Sequence, residues 1–73
     1  MIRTGQHLRE MRIEIGLALS ALSAKATVSR WRLLEFEAGN IELRADEVER
    51  IGAALRNYAQ QKMAAFARFA AAL

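Results

Sequence analysis

Side chains able to do covalent or proton-transfer chemistry are scarce in this sequence. It holds one histidine, His7, and no cysteine, and neither a glycine-rich phosphate loop nor an H-E-x-x-H pair occurs. A lone histidine in an early helical turn reads as a solvated or capping residue, so no catalytic group, metal site or cofactor is expected. The side chain in excess is arginine: Lys25 and Lys62 are the only lysines among 11 basic residues, which leaves nine arginines. A planar guanidinium fork suits phosphates and base edges, and Arg30 and Arg32 flank Trp31 directly after Ser29. Recognition is the chemistry this composition favours.

Positioning those residues requires a fold, and 73 residues allow one small domain. With 53% hydrophobic and 26% charged residues and a mean hydropathy of +0.02, the chain is neither compositionally disordered nor uniformly apolar. Domains this short bury only about 60% of the surface the unfolded chain exposes, and without cysteine no disulfide supplements the core. A partner subunit is the expected support. The opening residues Met1-Ile2-Arg3-Thr4-Gly5 lead into charged sequence with no apolar h-region, which argues against a signal peptide. No unbroken apolar run could span a bilayer, and a cytoplasmic protein without a membrane partner is expected.

Proline is absent and apolar residues recur at helical spacing, so the fold class is all-α, a compact bundle of four to five helices. The first helix follows Thr4 as N-cap and ends near Ile15, with Gly16 in the left-handed position. Leu8, Met11 and Ile15 form its inner stripe. Arg12 shares that stripe, tolerable only if a carboxylate meets it. A second helix spans about residues 18–26, with Ala18, Leu22 and Ala26 inward, and residues 27–29 make a tight connection. Ser29 caps a third helix over residues 30–38, closed by Gly39. On that helix Leu33, Phe36 and Glu37 face inward, while Trp31, Leu34 and Glu35 face out between Arg30 and Arg32. Glu37 is thus the candidate partner of Arg12. After a loop over residues 40–44, a fourth helix begins near Ala45, with Asp46 and Glu47 favouring its dipole. Val48, Ile51 and Leu55 face inward and Gly52 permits close helix approach.

Residues 58–73 change character, with seven alanines, two positive charges and no acid. They read as a C-terminal helix, distinct from the 1–57 unit but part of the same domain. Ala59, Met63, Phe66, Ala70 and Leu73 fall at spacings of four, three, four and three, a coiled-coil-like seam. That seam either folds back to cap the monomer core or pairs two copies as a homodimer. Whether Arg56-Asn57 breaks or bends the junction is open from sequence.

Two short helices joined by a tight turn, the second opening with polar and basic residues, form a helix-turn-helix pattern. The run Gly16-Leu17-Ala18-Leu19-Ser20-Ala21-Leu22-Ser23-Ala24-Lys25-Ala26-Thr27-Val28-Ser29-Arg30, with Glu37-Ala38-Gly39 and Ile51-Gly52-Ala53-Ala54-Leu55, resembles the Cro/phage-repressor (xenobiotic-response-element) family over about residues 5–55. The resemblance implies a lambda-repressor-like domain that binds double-stranded operator DNA as a dimer, a transcriptional repressor. It gives Arg30, Trp31 and Glu35 base-reading positions and Arg32 and Asn40 backbone contacts, and it matches Arg12 and Glu37 to a buried ion pair. Lys25 either favours its helix dipole or holds the DNA backbone. Ala18 and Leu19 stand where the family often has a polar residue and glutamine, so one contact is missing. Thr27 stands where glycine is usual. The apolar Trp31 and Leu34 face leaves a second reading open, a protein-interaction module of antitoxin or assembly-factor type on the same scaffold.

Overall fold

A computed structural model describes residues 4–73; Met1, Ile2 and Arg3 of the opening stretch read as lacking an h-region lie outside them. Four helices follow in order: α1 (Gly5–Glu14), α2 (Leu19–Ala26), α3 (Arg30–Glu37) and α4 (Ala45–Ala72). No strand occurs among the described residues. The Thr4 hydroxyl accepts the His7 backbone N–H at 3.1 Å, and the Ser29 hydroxyl accepts that of Arg32 at 3.1 Å. Both N-caps therefore satisfy an N–H that the first helical turn leaves unpaired.

The first three helices each end at a left-handed residue. Leu17 N–H donates to the Arg12 carbonyl and Gly16 N–H to that of Ile13, and Asn40 and Gly39 repeat this paired-bond cap on Glu35 and Phe36. At the α2 end Thr27 and Val28 N–H both donate to the Ser23 carbonyl. Gly16 (φ 74°) and Gly39 (φ 84°) adopt the left-handed conformation without a steric conflict, but at the α2 end Thr27 adopts it, at φ 54°. A β-branched residue there is strained. Arg50 of α4 offsets the strain, donating from Nε to the Ala26 carbonyl at 3.0 Å and from Nη2 to the Thr27 carbonyl at 3.3 Å. Within the turn, Ser23 Oγ donates to the Val28 carbonyl at 2.7 Å.

The core is Leu8, Leu17, Leu22, Ala26, Val28, Leu33, Ile51, Ala54 and Leu55. Several expected inner positions shift. Ala18 is the exposed N-cap of α2 and Leu17, one residue earlier, takes the buried place. Met11, Ile15 and Val48 are only half-buried, whereas Glu47 is almost completely buried. Gly52 makes no close helix approach, since an added Cβ would meet only the flexible end of Arg56 of its own helix. The close approach is at Gly5, where a Cβ would run into the Phe36 carbonyl and lie 2.9 Å from the Glu37 Cα. That contact sets how tightly α1 crosses the end of α3.

Arg56-Asn57 neither breaks nor divides the fourth helix, which runs unbroken for 28 residues. Its first half packs on α2. Tyr58 and Lys62 make the last polar ties to the body, to the Gly16 carbonyl at 3.4 Å and the Ile15 carbonyl at 2.9 Å. The fold-back of Met63, Phe66 and Ala70 onto the core does not occur: Met63 and Phe66 are 73% and 79% exposed, and Ala70 is exposed. The helix end projects, and the molecule measures 46 × 21 × 19 Å. Among the described residues no helix is long and apolar enough to cross a membrane.

Glycine at position 27 removes the side-chain conflict in the left-handed turn but adds freedom to the unfolded chain. A net gain of about 1 kcal/mol is expected for Thr27→Gly, raising Tm by roughly 4–8 °C in a domain this small. Thermal unfolding followed by circular dichroism measures it, and an unchanged or lowered midpoint would refute the strain.

Candidate nucleic-acid interface

An eight-residue helix has little intrinsic stability, and α3 buries only Leu33 and Glu37. Two bidentate ion pairs therefore decide its orientation. On one side Glu37 receives Arg12 of α1, Nε to Oε2 and Nη2 to Oε1, both at 2.9 Å. The remaining Arg12 nitrogen donates to the Leu17 carbonyl at 3.0 Å, so each of the three guanidinium nitrogens makes a hydrogen bond. On the other side Arg32 donates from Nε and Nη2 to the two oxygens of Glu47 in α4, each at 2.8 Å. Glu47 Oε1 also accepts the Arg44 backbone N–H at 2.8 Å.

The pair between Arg32 and Glu47 was not read from the sequence. The signal was present: Glu47 lies four residues before Ile51, on the buried stripe, and so needs a cationic partner for the same reason as Arg12. Arg50, which holds the α2 terminus, was also missed; it additionally pairs with Asp46 one turn earlier on its own helix, at 2.6 Å. The Arg32 hydrogen bonds, helped by the Arg44 backbone N–H and opposed by burial, hold the Glu47 carboxyl at about 2, well below 4.5.

With its inner side fixed, α3 turns a defined face outward. Arg30 is exposed and forms no ion pair among the described residues. Trp31 and Leu34 are 61% and 53% exposed. Glu35 is half-buried, and Asn40 Nδ2 donates to its Oε2 at 2.8 Å, so these two expected site residues are brought together. Arg32 keeps one nitrogen, Nη1, outside the Glu47 pair, on a side chain about one-third exposed. Lys25 goes elsewhere: its Nζ lies 5.7 Å from the centre of the Tyr58 ring of α4, whose ring also receives Lys62 at 5.5 Å. Among the expected pairing residues, Ala59 is half-buried, while Met63, Phe66, Ala70 and Leu73 are exposed. Phe69, outside the expected seam, is 73% exposed.

Truncating one member of a buried ion pair leaves the other charged and unpaired. Glu37→Ala should cost about 3–5 kcal/mol, whereas Glu35→Ala, which removes an exposed contact to Asn40, should cost at most about 1 kcal/mol. Urea unfolding of the two variants tests this; equal midpoints would show that Glu37 does not anchor the helix. Acid provides a separate test on Glu47. Its lowered pKa means that its stabilisation is complete above about pH 4.5 and is lost as pH falls towards 2. Glu47→Gln should therefore flatten the loss of stability across that window, and parallel pH profiles for variant and parent would contradict the assignment.

No family model, curated protein or solved structure matches this chain, so the reading of α3 rests on the residues and geometry of the chain itself.

Proposed function

We propose that this protein is a sequence-specific DNA-binding transcriptional regulator of prokaryotic or phage type, a repressor that acts in the cytoplasm by occupying its operator. In this reading α2, the connection at residues 27–29 and α3 form a helix-turn-helix, and α3 enters the major groove N-terminus first. The observation that carries it is the division of α3 into two sides. Leu33, Glu37 and Arg32 are committed to the body, while Arg30 and Trp31, at the end that would lead into a groove, are exposed. Arg30 suits the acceptor edge of guanine, Trp31 a thymine methyl, and Glu35 the amino group of cytosine. Asn40 and the free Nη1 of Arg32 would meet phosphates. Lys25, held over Tyr58, contributes least. Two copies would read a palindrome with their α3 helices about 34 Å apart, one turn of DNA.

A second reading follows from the same face. Trp31 and Leu34 expose more than half their surface, and α3 carries two arginines against two glutamates, so the face also suits a protein partner. Selection from random duplex DNA with the purified protein separates the two. Enrichment of a palindrome is expected, with Arg30→Ala binding it roughly 5- to 150-fold more weakly, as the loss of one bidentate base contact worth about 1–3 kcal/mol. Affinity should also fall steeply with salt. A folded protein that enriches no sequence would overturn the DNA reading in favour of protein docking.

A further inference from the structure

The projecting end of α4 carries its large apolar side chains on one side only, the rest being alanine with Arg68. At 100° per residue, Ala59, Met63, Phe66, Phe69 and Leu73 fall within an arc of about 120°, and the last four are 73–106% exposed. The arc continues the line along which Ile51, Leu55 and Tyr58 of the same helix meet the body. At its base lies an open hollow of about 360 Å3, where Met63 and Phe66 face Ile15 and Glu14 of α1. The four exposed side chains leave on the order of 600 Å2 of apolar surface on each chain. Buried between two copies, that area reaches about 1,000 Å2, the threshold for a specific interface.

We infer that a second copy of this chain covers the face, with the two α4 ends antiparallel about a two-fold axis at Phe66. Charge selects this direction. Residues 50–73 contain no acid, so a parallel pair would set Lys62, which falls within the arc, against Lys62 with no carboxylate to offset it, and would bring like helix dipole ends together. The antiparallel pair sets Lys62 opposite Ala70, towards the negative end of the partner's helix. It also sets Met63 opposite Phe69, a favourable sulfur–aromatic contact, and small Ala59 opposite Leu73, with the hollow receiving the partner's helix end. Phe69 thereby joins the contact and the Phe66 rings meet on the axis. The pairing is independent of DNA, although it would supply the two-fold symmetry that a palindrome demands.

Sedimentation equilibrium of the full chain without DNA, at micromolar concentration, should give twice the 8.2 kDa chain mass. Phe66→Glu should return the mass to that of one chain with unchanged helical circular dichroism, because Phe66 is not part of the monomer core. Under oxidation Met63→Cys alone should not cross-link, whereas a mixture of Met63→Cys and Phe69→Cys chains should. A monomeric parent chain, a dimer that survives Phe66→Glu, or a Met63→Cys chain that links to itself would each overturn the inference. So would a parent chain that stays monomeric in solution but binds vesicles of anionic lipid, which would give the face to a membrane surface. Loss of DNA binding with the dimer intact would count only against the reading of α3.

Discussion

Everything proposed for α3 depends on how it is held against rotation about its own axis. A short helix seated through one leucine could turn by tens of degrees at little cost, since apolar contact has no direction. Planar ion pairs do have direction, and α3 carries one on each flank: Glu37 bound by Arg12 and Arg32 bound to Glu47. The two lie five residues apart and draw the helix towards α1 and α4 respectively. Rotation in either sense would break two hydrogen bonds and leave a buried carboxylate unpaired, so the outward set of Arg30, Trp31 and Leu34 follows from the inward pairs.

This arrangement also shows how polar groups can specify a small core. Glu47 and Glu37 occupy places in which aliphatic residues would pack, and no buried side-chain nitrogen or oxygen among the described residues lacks a partner. A hydrophobic substitution of either pair could preserve stability, but it would give up the angular definition. The α2 terminus shows the same economy. Thr27 takes a backbone conformation usually left to glycine, and Arg50 of α4 holds the carbonyls around it. Both the anchoring of α3 and the shape of the turn before it are thus controlled by the first two turns of α4, through Glu47 and Arg50.

The helices were legible in the sequence because their signals are local. Thr4 and Ser29 mark starts, Gly16 and Gly39 mark ends, and spacing of three and four marks the inner stripes. The partnership of Arg12 and Glu37 was also accessible, because a charged residue on an apolar stripe demands its opposite on another. Other features were hidden for a physical reason: they depend on relations between helices. Burial of Glu47 requires knowing that α3 brings an arginine to it. The direction of Lys25 depends on where Tyr58 lies across the bundle. The tight contact at Gly5 depends on the end of α3, 31 residues later in the chain. Continuity of α4 through Arg56-Asn57 was undetermined because helix propensity alone neither demands nor forbids it.

That continuity joins two environments in a single element. Around Ile51 and Leu55 the backbone hydrogen bonds of α4 are shielded by the core, and opening them requires unfolding the domain. Beyond Lys62 they are sustained in the monomer by alanine-rich helix propensity alone. Amide hydrogen exchange along this one helix therefore grades from globally protected to locally fraying over a few turns. Subunit association through that end would flatten the gradient.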